Sequence, residues 1–137
     1  MTKKEIATKY AFAWIGKPYR WGGDDFSGFD CSGFVIEILR AVGVLPKGGD
    51  WTANGLFERF ILLQVEAPSE GCIALYWNSD RSKVVHVEYC ISGACQIGAS
   101  GGGSRTKTEA DAIRDNAYIK IRPIDIKRKP TFIKLLK

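Results

Sequence analysis

One cysteine of the chain, Cys31, stands at the predicted start of a helix. An apolar run with helical character continues from there to Val42 and ends at Gly43, and Asp30 occupies the N-cap position. Unpaired backbone N–H groups and the positive dipole end of such a helix stabilise an anion. A thiol there is favoured as the nucleophilic thiolate, although a buried structural cysteine fits the position alone equally well.

The chain contains a single histidine, His86. It lies in a run of alternating residues at 84–91, and the alternation places His86, Glu88 and Cys90 on one face of a strand. A cysteine nucleophile needs a base whose pKa is close to neutral, and histidine is the side chain with that property. Cys31 and His86 are therefore the minimum set for thiol-dependent acyl transfer, with the backbone N–H groups of Cys31 and Tyr19 as candidate oxyanion donors.

The surrounding pattern predicts helices first and strands second, which indicates an α+β domain with an antiparallel sheet. The first helix runs from Thr2 to about Gly16, with Ile6, Tyr10, Ala13 and Trp14 on its apolar face. An irregular, ordered loop follows over 19–30. Ser92 and Gly93 are predicted to form a two-residue hairpin turn. The other predicted helices are 31–42 and 52–60, and the predicted strands are 62–66, 72–77, 84–91, 94–99 and 117–123.

Composition limits the class of protein. With 137 residues, 45% of them hydrophobic and 26% charged, we expect one globular domain spanning 1–137. The net charge of +5 favours anionic partners such as a bacterial wall polymer. We predict no nucleic-acid binding, because no basic recognition helix or RNA-binding aromatic signature is present. We also predict no membrane span and a monomer, and no signal peptide is visible at the charged N-terminus.

The remaining cysteines, Cys72, Cys90 and Cys95, are predicted to be free thiols, although Cys90 and Cys95 could link a hairpin. A metal site that combines His86 with these cysteines is disfavoured, because zinc sites prefer closely paired cysteine ligands. We therefore predict neither a metal nor a cofactor.

Two segments carry a resemblance to a known family. Residues 16–23 read GKPYRWGG and residues 29–35 read FDCSGFV, and together they resemble the signature of the NlpC/P60 peptidases. The strand around His86 and residues 97–100 are similar to the second half of that family. The resemblance implies a papain-like fold, with the cysteine helix packed on the sheet. It also implies hydrolysis of amide bonds in peptidoglycan stem peptides, typically after γ-D-glutamate.

The resemblance also implies roles for individual residues. Cys31 would be the nucleophile and His86 its base. Tyr19 would border the thiol and form a hydrogen bond near the reacting carbonyl, and Asp30 and Ser32 would hold the amine end of the substrate. Tyr19 is also compatible with a core aromatic, and Asp30 with a plain helix cap.

Two positions depart from the family pattern. The family usually has a polar third residue, often histidine, twelve positions after the base, and this chain has Gly98 there. Gln96 and Ser100 share the face of Gly98, so the alternatives for orienting the imidazole are Gln96, Ser100, a backbone carbonyl or water. In addition, Cys72 stands where the family strand has aspartate, which is typical of a core substitution.

Three functional alternatives remain open at this stage. The same scaffold could serve an acyltransferase or amidase that acts on another substrate, such as a lipid, and an apolar cleft would favour that interpretation. A cleft lined by Arg20, Asp30, Ser32 and Asp50 would favour charged stem peptides. A catalytically weak wall-binding module is the third. The expected setting is a phage virion or lysis protein, or a secreted effector.

Overall fold

The fold is that of a computed structural model, which describes residues 1–25, 28–48 and 51–137. The helices are α1 (Lys3–Ala13), α2 (Cys31–Ala41), α3 (Ala53–Phe60) and α4 (Glu109–Asp115), and two short 3-10 segments span Ile61–Leu63 and Ile126–Arg128. The strands are β1 (Asp24–Asp25), β2 (Gly28–Phe29), β3 (Gln64–Val65), β4 (Cys72–Trp77), β5 (Val84–Cys90), β6 (Cys95–Ser100), β7 (Tyr118–Pro123) and β8 (Thr131–Lys134).

A six-stranded sheet forms one layer of the protein, in the order β3-β8-β4-β5-β6-β7. Every neighbouring pair in this sheet is antiparallel. The strands β1 and β2 pair separately within the loop that precedes α2. Helix α2 packs on β5 and β6, and α3 packs on β5. The predicted α+β arrangement is confirmed.

Helix α2 lies between two parts of the hydrophobic core. Phe34 and Ile38 pack into one cluster, with α1, β6 and β7, whereas Val35 and Leu39 pack into a second one with α3, β4 and β5. Apolar side chains are therefore required on most faces of α2, which explains the continuous apolar run in its sequence. Because both faces are held by the core, the first turn of α2 has a fixed position.

The first helix confirms its predicted start and corrects its predicted buried face. Thr2 caps α1 in a capping box with Glu5. Ile6 is 42% exposed, while Ala7 and Ala11 are fully buried and Trp14 is 8% exposed. The buried stripe thus has the spacing i, i+4, i+7 from Ala7, one position away from the predicted one. Small side chains at this stripe let α1 approach α2 closely.

The hairpin between β5 and β6 is longer than predicted. Cys90 pairs with Gln96, and the backbone N–H of Ile91 donates to Cys95, so three residues (92–94) form the loop. The Ser92 hydroxyl accepts hydrogen bonds from the backbone N–H groups of Ala94 and Cys95. The prediction of a two-residue turn was wrong, because this serine closes a wider turn through its side chain.

All four cysteines are free, with Cys72 and Cys90 fully buried and Cys31 and Cys95 half-buried. This confirms the prediction of free thiols at Cys72, Cys90 and Cys95. Within the described ranges, no helix is both long enough and apolar enough to cross a bilayer.

Candidate active site

A cleft of about 690 Å³ opens where the first turn of α2 faces β5 and the glycine-rich segment 101–103. Both Cys31 and His86 line it, so the fold brings together the two residues that the sequence predicts as a pair. Tyr19, Asp30 and Ser32 also line the cleft, as predicted. Three basic residues contribute to its wall as well, namely Lys83, Arg122 and Arg128.

Asp30 holds the loop before α2 against the start of that helix. Its Oδ1 accepts a hydrogen bond of 2.7 Å from the backbone N–H of Gly33, and its Oδ2 accepts one of 3.1 Å from Gly22. The backbone N–H of Asp30 donates to the carbonyl of Gly23 at 3.0 Å. An added Cβ at Gly33 would lie 2.2 Å from that same carbonyl oxygen. Glycine at position 33 is therefore required for this close approach, and the predicted helix cap at Asp30 is confirmed.

The start of α2 offers donors to an anion in the cleft. The helix begins its backbone hydrogen bonding with Phe34, whose N–H donates to the Asp30 carbonyl at 3.1 Å. The N–H groups of Cys31 and Ser32 precede this bond and sit at the positive end of the helix dipole. The Ser32 hydroxyl donates to Asp30 Oδ1 at 3.3 Å. A negative charge that develops beside Cys31 would meet these two N–H groups.

His86 lies between Cys31 and a buried carboxylate. Its Nε2 is 2.8 Å from Glu88 Oε2, and the exposed fractions of the two side chains are 20% and 0%. Burial lowers the pKa of His86, but hydrogen bonds to Cys31 and Glu88, together with the charges of both groups, outweigh it and raise this pKa to about 9. These interactions therefore favour the protonated form of the imidazole, which is the form that the ring adopts when it accepts a proton from a neighbouring group.

The residue next to the imidazole is not one of those expected from the sequence. Glu88, two positions after His86 on the same strand, contacts Nε2, whereas Gln96 donates to Glu88 at 3.1 Å. Ser100 is 3% exposed, and its hydroxyl has no hydrogen-bond partner among the described residues. Among the described residues, the hydrogen-bond partner of the His86 Nε2 is therefore Glu88, and neither Gln96 nor Ser100 contacts this nitrogen. Strand alternation placed Glu88 on the face of His86, and that signal could have identified it.

Tyr19 borders the cleft through its side chain. It is 5% exposed, and its ring lies so close to the backbone of Gly102 that an added Cβ there would come within 2.3 Å of it. Burial, reinforced by the charges of Cys31 and Asp30, raises the pKa of the Tyr19 phenol, which therefore remains a hydrogen-bond donor. Its backbone N–H donates to the Ala117 carbonyl at 3.0 Å, so the prediction of this N–H as an oxyanion donor was wrong.

Of the four residues expected to mark a charged channel, Asp30 and Ser32 line the cleft. Arg20 is not among its described lining residues, and Asp50 lies outside the residues that the structure describes. No three His, Cys, Asp or Glu side chains in the described part of the chain are grouped so that they could hold a metal ion.

Comparison with known protein families gives a match to the NlpC/P60 family over residues 16–108, which include both Cys31 and His86. The chain belongs to the NlpC/P60 family. The resemblance read from residues 16–35 is thereby confirmed for more than half of the chain.

Two curated relatives of this NlpC/P60 chain are peptidases by name. It is 30% identical over 121 residues to the "Probable peptidoglycan endopeptidase LytE" of Bacillus subtilis (strain 168), which is 86% of this chain and 32% of that protein. It is 43% identical over 56 residues to the "Gamma-D-glutamyl-L-lysine dipeptidyl-peptidase" of the same organism, 39% of this chain and 19% of that protein. The chain thus spans about a third or less of these relatives.

Solved structures show the same fold. The NlpC/p60 domain of the peptidoglycan hydrolase SagA superposes with a TM-score of 0.70 at 25% identity, covering 96% of this chain and 97% of that chain. An NlpC/P60 family protein from Bacillus cereus ATCC 10987 gives a TM-score of 0.76 at 19% identity, over 98% of this chain and 40% of the other. The chain has the α+β fold of the NlpC/P60 domains, with Cys31 at a helix N-terminus against an antiparallel sheet.

Proposed function

We propose that this NlpC/P60 chain is a cysteine endopeptidase that hydrolyses amide bonds in bacterial peptidoglycan stem peptides. In this proposal Cys31 is the nucleophile and His86 its base. One observation carries it: the thiol at the first position of α2 and the single imidazole of the chain line the same cleft, and interactions with Cys31 contribute to the raised pKa of His86. The names of two similar proteins, one a probable peptidoglycan endopeptidase and the other a peptidoglycan hydrolase, support the substrate class.

The first half of the reaction uses the helix start and the imidazole together. His86 takes the proton of Cys31, and the thiolate attacks the amide carbonyl carbon to form a C–S bond. The electron pair of the carbonyl moves to its oxygen, which faces the N–H groups of Cys31 and Ser32. The tetrahedral species then collapses to a thioester, the C–N bond breaks, and the imidazolium gives its proton to the leaving amine.

The second half releases the peptide. His86, now neutral, takes a proton from a water molecule, and the resulting hydroxide attacks the thioester carbonyl. Collapse breaks the C–S bond, and the proton held by the ring returns to the Cys31 sulfur. The products are a carboxylic acid, a free amine and the regenerated thiol. No other reactant is needed.

Polar groups at the cleft favour a charged peptide over a lipid. In this proposal Asp30, which lines the cleft, pairs with a substrate ammonium group, and Ser32 and the Tyr19 phenol add hydrogen-bonding groups beside Cys31. Lys83 and Arg128 add positive charge along the same wall, where substrate carboxylates can be bound, while Arg122 is ion-paired with Glu88. The acyltransferase alternative required an apolar cleft, and these charges argue against it.

We take the bond after γ-D-glutamate as the site of cleavage. The relative named "Gamma-D-glutamyl-L-lysine dipeptidyl-peptidase" is 43% identical to this chain over a segment of 56 residues. That similarity supports this finer assignment. The α-carboxylate that γ-linked glutamate leaves free is an anion, and the cationic wall of the cleft offers partners for it.

Digestion of purified peptidoglycan tests the proposal. Wild type is expected to release soluble muropeptides whose masses identify cleavage after γ-D-glutamate, and Cys31→Ala is expected to release none. Cys95→Ala, which removes a half-buried thiol outside the cleft, is the matched control and should retain activity. Intact peptidoglycan after incubation with folded wild type would reject the substrate. Equal digestion by Cys31→Ala would reject the nucleophile.

A further inference from the structure

A buried carboxylate closes the side of the imidazole that faces away from the thiol. Glu88 is 0% exposed, and its Oε2 accepts hydrogen bonds from Gln96 Nε2 at 3.1 Å and from the Arg122 guanidinium. An oxygen that accepts from these two donors also accepts from His86, whose Nε2 lies 2.8 Å away. Nε2 therefore carries a proton, which leaves Nδ1 as the ring nitrogen for Cys31.

The backbone of β6 provides the space that this carboxylate occupies. An added Cβ at Gly98 would lie 2.5 Å from Glu88 Cγ and 2.8 Å from Glu88 Oε1. Nonbonded carbon atoms do not approach so closely, so any side chain at position 98 would displace Glu88. Position 88 thus fills the volume that position 98 leaves empty.

We propose that Glu88 is the residue that positions His86, and that position 98 is glycine in order to leave room for it. The inference rests on the proposed function, because it adds a positioning residue to the same reaction. Glu88 acts through His86 and does not contact substrate. It fixes the ring with Nδ1 toward Cys31, and its negative charge stabilises the imidazolium when the ring holds the thiol proton.

Neighbouring strands hold the carboxylate in turn. The backbone N–H of Asp125 donates to the Tyr76 hydroxyl at 3.2 Å, and this hydroxyl donates to Gln96 Oε1 at 2.6 Å. Since the Gln96 carbonyl is occupied by Tyr76, its NH₂ group is directed at Glu88. Gln96 is 1% exposed and has no direct contact with His86 in the described structure, so it acts as support for Glu88.

A purely structural role is the competing explanation, since Glu88 also forms an ion pair with Arg122. Glu88→Gln separates the two, because it keeps the shape and removes the charge. The charged and titratable groups around the imidazole are Cys31 from α2, Glu88 on β5, Tyr76 from β4, and, farther out, Arg122 and Arg128. The Glu88→Gln substitution removes the charge of Glu88 and leaves the other groups in this set unaltered.

Nuclear magnetic resonance gives a direct readout, since the chain has one histidine and hence one imidazole signal to titrate. Glu88→Gln is expected to lower the pKa of His86 by about one pH unit and kcat by about 10²-fold, with little change in KM. Glu37→Gln is the matched control, because Glu37 accepts a hydrogen bond from the Tyr10 hydroxyl, away from the cleft. It should leave both quantities unchanged.

A second pair of variants tests whether Glu88 needs the space that the absent side chain at Gly98 provides. Gly98→Ala is expected to displace Glu88 and to lower kcat and the pKa of His86 in the same direction as Glu88→Gln. In Glu88→Ala/Gly98→Ala the new methyl group meets no glutamate, so kcat should fall no further than in Glu88→Ala alone. A folded Glu88→Gln variant with wild-type kcat and a wild-type His86 pKa would overturn the inference.

One readout needs no substrate, so this inference and the proposed function can fail separately. The rate at which iodoacetamide alkylates Cys31, followed by peptide mass spectrometry, reports the thiolate. Glu88→Gln should move the pH dependence of this rate, and Glu37→Gln should not. If wild type leaves peptidoglycan intact while this shift is present, the substrate assignment fails and the positioning role stands. If wild type cleaves peptidoglycan and the shift is absent, the substrate assignment stands and the positioning role of Glu88 fails.

Discussion

The interaction of Cys31 with the imidazole, by hydrogen bonding and by charge, is expected to make a measurable difference to the pKa of His86. Part of what raises the pKa of His86 to about 9 is this bond and the charge of the sulfur. Cys31→Ala removes both, so we predict that the pKa of His86 falls below that of the wild type. Titration of the single imidazole resonance measures it.

The matched control for this titration is Cys95→Ala, a thiol on the hairpin that leads into β6. It should leave the pKa of His86 unchanged. If Cys31→Ala and wild type titrate at the same pH, the two side chains are not coupled, and the proposed nucleophile and base lose their physical basis.

The same raised pKa predicts the alkaline limit of activity. His86 must be protonated to supply the leaving amine with a proton, and it loses that proton as the pH rises through about 9. We expect kcat/KM to fall on the alkaline side with a midpoint near that pH, an apparent value that belongs to the Cys31–His86 pair. A profile with a synthetic stem peptide measures it. A midpoint near the ordinary histidine pKa would contradict the prediction.

Asp30 has a structural and a functional role that can be separated. Asparagine caps helices as well as aspartate does, so Asp30→Asn should retain stability, while Asp30→Ala should lose about 1 kcal/mol of unfolding free energy. Both remove the carboxylate, so both should raise KM for stem peptides with a free amine. Thermal unfolding and steady-state kinetics measure the two effects. Unchanged KM in the folded Asp30→Asn variant would remove Asp30 from the substrate site.

At this scale the pairing of Cys31 and His86 in one cleft could be predicted from the sequence, and the hydrogen-bond partner of His86 Nε2 could not. Cys31 is marked by its helix start, and His86 by being the single histidine. Glu88 was assigned correctly to the face of His86, but the family pattern directed attention twelve positions downstream to Gly98. Recognising Glu88 required knowing how closely β6 approaches β5, which depends on packing between strands rather than on either strand alone.

Among the elements, the contact between α2 and the preceding loop has the tightest steric requirement near the cleft. An added Cβ at Gly33 would lie 2.2 Å from the Gly23 carbonyl oxygen, which is backbone and cannot rotate away. We predict that Gly33→Ala destabilises the protein by about 1–3 kcal/mol and lowers kcat, because the start of α2 must shift. Chemical denaturation and kinetics measure it.

Gly48→Ala is the matched control, since an added Cβ there meets nothing within 4 Å. It should change the unfolding free energy by less than about 0.5 kcal/mol. Equal stability of the Gly33→Ala and Gly48→Ala variants would show that the loop can move away from α2 without cost.

Elements with local signals were predicted well. The strand over 72–77 and the helices after Asp30 and Thr52 agree with the structure, because caps and apolar periodicity mark them. Helix α4 and strand β8 were missed. Strand β8 has four residues and lies between β3 and β4, and these pairings join segments distant in sequence. No local pattern could report them.

For the whole molecule, the sheet separates opposite charges along the cleft. Asp30 follows Phe29, which bridges to Tyr19, and Pro18 bridges to Tyr118 at the start of β7. Arg122 lies four residues farther along β7, about 13 Å away by strand geometry. The cleft is therefore acidic toward the start of β7 and basic toward its end, where Arg128 and Lys83 join Arg122 in the wall.

The monomeric state and the phage setting stay predictions.

This polarity suits a substrate with an ammonium group at one end and carboxylates at the other, which leads to a prediction about charge. We expect Lys83→Gln/Arg128→Gln to raise KM about fivefold for stem peptides with free carboxylates, because two exposed ion pairs that contribute about 0.5 kcal/mol each are lost. Carboxyl-amidated peptides should be affected far less, and added salt should erase the difference since it screens exposed charges. Lys3→Gln/Lys9→Gln changes the net charge equally outside the cleft and is the control. If both double variants raise KM alike, the effect belongs to the net charge of +5 and not to the cleft.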